Sequence, residues 1–126
     1  MKKRKILIVD DEQGFSEVVK ISLESTGLFD VVTEVDPRNA KRVALQFQPD
    51  LVLLDVIMAY MEGPDVAMDF KNNPILKYVP VVFLTATVTQ QEVDKDNGLI
   101  GGHTFVAKPS NLDTLLVAIE KNLMAV

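Results

Sequence analysis

The sequence predicts an α/β fold: a doubly wound parallel sheet of five strands with helices on both faces. Three observations carry that expectation. The runs Ile6-Leu7-Ile8-Val9 and Leu51-Val52-Leu53-Leu54 are apolar at every position, as strands buried on both faces are. Strand signals alternate with helical spacing five times over short connections, which implies parallel strands, right-handed crossovers and helices on both sides. The chain has 126 residues, 48% of them hydrophobic and 25% charged, enough for one core and ordinary for a globular protein. Residues 1–126 are expected to form one domain, with no linker, repeat or low-complexity tract.

Taken in order, the first strand, 6–9, runs into Asp10-Asp11-Glu12. Phe15, Val18, Val19 and Leu23 then fall at helical spacing, and Gly27 supplies a left-handed stop. Residues 31–35 make a strand with polar interruptions, suited to an edge. Asp36-Pro37 opens a helix as cap and first residue, with Ala40, Val43, Ala44 and Phe47 on its apolar face. The central strand, 51–54, is followed by a short helix that starts at Gly63-Pro64, turns Val66, Ala67 and Phe70 inward, and ends at Asn72-Asn73-Pro74. A fourth strand, 79–84, leads into Thr85-Ala86-Thr87. Thr89 and Glu92 have capping-box spacing for a mostly polar fourth helix, running to about Gly98. The last strand is 104–107. After Lys108-Pro109, Ser110 with Asp113 caps a final helix whose face is Leu112, Leu115, Leu116, Ile119 and Leu123.

Composition narrows the function. There is no cysteine, so disulfides, thiolate metal sites and cysteine nucleophiles are excluded. The formal charge is -5 and no basic face follows a phosphate backbone, so no direct nucleic-acid contact is expected. The basic start precedes an apolar run too short for a signal peptide, and nothing approaches a membrane span. The expected location is the cytoplasm.

Parallel strands bring their C-terminal ends to one edge, where open α/β sheets bind ligands. Reading those ends gives Asp10, Asp11, Asp55, Thr85 and Lys108. Asp55 on its own would be no more than the end of a strand; the company of the others changes its meaning. Two carboxylates about 5 Å apart repel by roughly 3 kcal/mol at an effective dielectric near 20. Three therefore call for compensating cations. Lys108 supplies one charge, and a hard divalent ion with oxygen ligands, Mg2+ foremost, supplies the rest. Such a site suits a phosphoryl group, whose charge is spread over several oxygens. With no cysteine and a lone histidine before the last strand, Asp55 itself is the candidate nucleophile.

Asp10-Asp11, Asp55 with Met58, Met61, Glu62 and Gly63 after it, Leu84-Thr85-Ala86, Gly101, Phe105 and Lys108-Pro109 together resemble the receiver domain of two-component response regulators. The resemblance runs from about Lys5 to the end of the chain. It implies a flavodoxin-like (βα)5 fold with strand order 2-1-3-4-5. It also implies a phosphorylation-dependent signalling switch, in which Asp55 accepts a phosphoryl group from a phosphohistidine on a histidine kinase or phosphotransfer protein. Asp11 and Asp55 would hold Mg2+ directly, Asp10 through water, and the Ile57 backbone carbonyl would complete the protein ligands. Lys108 would neutralise phosphoryl oxygens, Thr85 would hydrogen-bond the phosphoryl group, and Phe105 would turn inward as the switch aromatic. Pro109 would follow a cis bond that aims Lys108. The fourth helix, weakly anchored, would carry the signal to a downstream target or effector. No separate substrate turnover is implied.

The sequence departs from the family at three positions: Ala59 stands where proline is usual, Gly102 where alanine is common, and Phe105 where tyrosine is equally usual. None touches the charged set. Two other functions compete. An aspartyl phosphohydrolase would need a carboxylate two residues after the nucleophile, where Ile57 stands, and room for a cap. A receiver-like binding module that is never phosphorylated would be signalled by loss of an acidic residue or the lysine, and none is lost. His103 reads as a solvated strand-edge histidine, the methionines as core or loop filler, and Gly101-Gly102 lacks a phosphate-loop pattern. No effector follows Val126, which fits a stand-alone receiver or a piece of a longer regulator.

Overall fold

The computed structural model describes residues 2–86, 99–100, 103–108 and 111–124. In chain order the elements are β1 (Arg4–Val9), α1 (Gln13–Glu24), β2 (Phe29–Glu34), a 3-10 turn (Pro37–Asn39), α2 (Ala40–Phe47), β3 (Leu51–Asp55), α3 (Gly63–Lys71), β4 (Val81–Thr85), β5 (Leu99–Ile100), β6 (His103–Ala107) and α4 (Leu112–Met124). Among the described residues the sheet order is β2-β1-β3-β4-β6-β5. The first five of these pair in parallel, in the expected order 2-1-3-4-5, with β6 as the fifth parallel strand. The two-residue β5 adds itself antiparallel to the outer edge of β6. Two residues are too short a run to show any period, so it was invisible in the sequence.

The continuously apolar strands are explained by what covers them. Ile6, Ile8, Leu51, Leu53, Val82 and Leu84 face α1 and α4, where they meet Val19, Leu23, Leu115 and Ile119. The alternate residues Leu7, Val9, Val52, Leu54 and Phe83 face α2 and α3, against Ala40, Ala44, Val66 and Phe70. Successive side chains of one strand point to opposite faces, so a sheet with helices on both sides needs every residue apolar.

Several local expectations are corrected. Val18 is 63% exposed: the inward row of α1 is Phe15, Val19 and Leu23, spaced by four, with Ser16 buried beside it. The second strand begins at buried Phe29 and leaves Val35 outside. Asp36 does cap, accepting from the Arg38 N–H at 2.9 Å, but the turn it starts is 3-10 and the α-helix begins only at Ala40. The fourth strand starts at Val81, after Pro80, which has no N–H to give to a ladder. At α4 the Asn111 side chain accepts the Thr114 N–H at 2.8 Å and so fills the capping position. The expected fourth helix at 89–98, and Thr87, Gly101, Gly102, Pro109 and Ser110, lie outside the described residues. Gly27 takes the left-handed conformation expected of it, with φ 77°.

Candidate functional site

The parallel register decides what meets at the C-terminal edge. Val9 lies beside Leu54, Asp55 beside Leu84, and Thr85 beside Ala107. Asp10, Asp55, Thr85 and Lys108 therefore arrive together from four strands. Asp10 is fully buried, Asp55 is 5% exposed and Thr85 2%. Asp11, next to Asp10, faces solvent, yet one carboxylate oxygen from each of Asp10, Asp11 and Asp55 lies within 4.8 Å of the others.

Lys108 closes the group from the far side. Its ammonium is 2.8 Å from Asp10 Oδ2, 3.1 Å from Glu12 Oε1 and 3.6 Å from Asp55 Oδ1. It also lies over the Phe15 ring, 4.4 Å from the centroid. Its backbone N–H donates to the Thr85 carbonyl at 2.7 Å, which ties the end of β6 to the end of β4. The other Asp10 oxygen accepts the Glu12 N–H at 2.9 Å. Among the described residues no buried side-chain nitrogen or oxygen lacks a partner.

The loop after β3 is fixed at both ends. The Val56 N–H donates to the Leu84 carbonyl at 3.1 Å, and the Gly63 N–H donates to the Val56 carbonyl at 2.8 Å. A Cβ on Gly63 would collide with the Asp55 backbone carbonyl, so only glycine permits this closure. Within the loop, the Ala59 N–H donates to Asp11 Oδ2 at 3.1 Å. A cleft of about 260 Å³ opens over the site, lined by Glu12, Asp55, Val56, Ile57, Thr85, Ala86 and Lys108.

Charge and burial conflict here. Burial raises the Asp55 pKa to about 6, helped by the charge of Asp10, opposed by Lys108, and raised further by Asp11 and Glu12. Burial is also the largest influence on Lys108 and acts to lower its pKa. Hydrogen bonds to Asp10 and Glu12, with the charges of Asp10 and Asp55, outweigh it and leave the ammonium's pKa raised. One ammonium against the four carboxylates of Asp10, Asp11, Glu12 and Asp55 keeps the cluster net negative. Its donors are all oxygens, as a hard divalent cation requires, and they converge closely enough to share one. The residues present fit Mg2+.

Asp10, Asp11, Asp55 and Lys108 converge, and Thr85 and Ile57 line the same cleft. Phe105 does not line it: half-buried, it stacks on Phe83 at 5.1 Å, on the α2–α3 side of the sheet. His103 is exposed and edge-on to Phe83 at 5.5 Å. Two residues were missed, Glu12 as a partner of Lys108 and Phe15 beneath it. Glu12 carried a signal, since it extends the acidic run after β1. Phe15 carried none beyond its helical spacing.

The sequence matches the response regulator receiver domain family over residues 6–120. Among solved structures, the chemotaxis protein CheY4 of Vibrio cholerae is similar at 26% identity and TM-score 0.80, with 95% of this chain and 98% of that one covered. The signal receiver domain of a signal transduction histidine kinase from Syntrophus aciditrophicus is 29% identical at TM-score 0.78, covering 98% and 92%. The signal receiver domain of a DNA binding response regulator from Colwellia psychrerythraea is 25% identical at TM-score 0.78, covering 97% and 99%.

Proposed function

Starting from a chain that belongs to the response regulator receiver domain family of two-component signalling, we propose that it is a phosphorylation switch whose acceptor is Asp55. The observation that carries this reading is the placement of the Asp55 carboxylate. It is buried at the end of the central strand, grouped with Asp10 and Asp11, 3.6 Å from the Lys108 ammonium, and it lines a cleft.

The chemistry follows from that placement. A phosphohistidine on a histidine kinase or phosphotransfer protein enters the cleft. An Asp55 carboxylate oxygen forms a bond to phosphorus as the phosphorus–nitrogen bond breaks, and its electron pair returns to the imidazole. With a pKa of about 6, Asp55 is mostly ionised at neutral pH and able to act as the nucleophile. Lys108 neutralises the phosphoryl oxygens. Its ammonium is largely stripped of water and lies 3.6 Å from Asp55, within reach of a phosphoryl group formed there. Asp11 and Asp55 would hold Mg2+, with Asp10 assisting through water and the Ile57 carbonyl completing the protein ligands. When bound, the ion supplies the positive charge that offsets the carboxylates and the incoming phosphoryl group.

Thr85 stands at the adjacent strand end, where its hydroxyl can bond a phosphoryl group on Asp55. Phe105 is beside Thr85's strand in register with Phe83, and its repacking would carry the change toward the outer edge of the sheet. Output then passes through altered contacts with a downstream protein or effector domain. The whole of 1–126 works as one receiver domain in the cytoplasm and turns over no separate substrate. Among the described residues no helix is long and apolar enough to cross a membrane. Ile57 speaks against an aspartyl phosphohydrolase, because it puts a hydrocarbon side chain where that chemistry needs an acid. The test is Asp55→Asn with a small phosphodonor and Mg2+: it is expected to take up no phosphoryl group while keeping the wild-type circular dichroism.

A further inference from the structure

Tyr60 has φ 71° and is 76% exposed. The left-handed region is costly for a bulky aromatic residue, and no burial compensates here. Something else holds it. The Arg38 guanidinium stacks on its ring, 3.8 Å from the centroid. Arg38 is itself bonded to one carboxylate: Asp36 accepts from Nε at 3.1 Å, from Nη2 at 2.8 Å and from the Arg38 backbone N–H at 2.9 Å. A planar fork gripped by a carboxylate makes a rigid platform that lysine could not provide.

The residue before Tyr60 matters to the site. Ala59 donates its N–H to Asp11 Oδ2 at 3.1 Å, and its carbonyl accepts from the Met61 N–H at 2.9 Å. A proline at this place would have no N–H to give. Of the three clustered carboxylates Asp11 alone is exposed, and it is the one that accepts the Ala59 N–H.

We infer that the Asp36–Arg38–Tyr60 stack is a positioning device: it holds Tyr60 left-handed, keeps the Ala59 N–H on Asp11, and so fixes the Asp11 carboxylate for a divalent cation. Neither Arg38 nor Tyr60 touches the reacting groups. The inference rests on the proposed role of Asp11 as a Mg2+ ligand, and it gives a physical job to the Ala59 N–H. Partners that orient a metal ligand in this way commonly govern affinity rather than folding.

The test is calorimetric titration of Mg2+ into the full metal-free chain, with the melting midpoint in chelator measured alongside. Ala59→Pro removes the donor and should bind Mg2+ on the order of tenfold more weakly. Arg38→Ala should lose about threefold, the scale of an exposed cation–π contact. Tyr60→Phe keeps the ring and should bind as wild type does. In the double variant Arg38→Ala/Tyr60→Asn, asparagine tolerates the left-handed conformation without the stack, so Mg2+ affinity should return toward wild type. Metal-free midpoints should barely move in any of these. Wild-type affinity in Ala59→Pro or Arg38→Ala overturns the inference and leaves the proposed function standing. A double variant as weak as Arg38→Ala overturns the claim that the stack acts through the Tyr60 backbone. A wild-type chain that takes up no Mg2+ overturns the reading of the site itself.

Discussion

The two edges of this sheet handle charge in opposite ways. At the N-terminal edge, Lys3 faces Asp30 at 4.0 Å and Arg4 faces Asp50 at 3.8 Å, with all four side chains about half exposed. Lys5 completes that edge by donating to the Phe47 carbonyl at 3.2 Å. Each of these three cations has its own partner. At the C-terminal edge, Asp10, Asp55 and Lys108 are stripped of water, and one ammonium serves several carboxylates. Charges that only need solvation sit at the first edge. The second keeps an imbalance that folding alone would remove, which is what a site built for a cation and a phosphoryl group requires.

Removing a cation from each edge should give the sharpest contrast. Lys108→Ala leaves Asp10 and Asp55 buried without their counter-charge and should cost about 3–5 kcal/mol in chelator at neutral pH, read by urea denaturation. Arg4→Ala or Lys3→Ala should cost no more than about 1 kcal/mol, and less in high salt. Equal losses at the two edges would erase the distinction.

Next in size is the effect of Mg2+. Bound only by the native state, it should stabilise the wild type by about 2–3 kcal/mol at a hundredfold excess over its dissociation constant. Asp11→Ala should lose most of that gain in a thermal melt. An equal gain in both proteins would place the cation elsewhere.

Relieving the imbalance should also stabilise. The Asp55 pKa is raised from 3.8 to about 6, so between those values the native state holds a proton that the unfolded chain has lost. Wild-type stability in chelator should therefore fall as pH rises through that window, the penalty being complete above it. Asp55→Asn, which carries no charge at any pH, should be more stable than wild type by on the order of 1–3 kcal/mol at pH 7. That advantage should shrink as pH is lowered from about 6 toward about 4. A pH-independent difference would assign the effect to packing.

The parts of this arrangement that sequence could disclose are those fixed by topology. Ile6-Leu7-Ile8-Val9 and Leu51-Val52-Leu53-Leu54 had to be strands covered on both faces, and parallel strands had to carry Asp10, Asp55, Thr85 and Lys108 to one edge. What stayed hidden depends on side-chain direction or on too few residues. Val18 fits a helical face by spacing, yet it points to solvent because the Phe15–Val19–Leu23 row takes the sheet. The β5 strand is two residues long. The reach of Glu12 to Lys108, the Phe15 ring beneath the ammonium and the left-handed Tyr60 under Arg38 are set by rotamers and loop closure, which leave no period to detect.

The most direct measurement is the intact mass of the chain after incubation with a small phosphodonor and Mg2+. Wild type should gain the mass of one phosphoryl group, the label should be lost in chelator-treated incubations, and peptide mapping should place it on Asp55. Asp55→Asn should gain nothing. A phosphoryl group on Asp55→Asn, or on wild type at any other residue, would contradict the assignment of Asp55 as the acceptor.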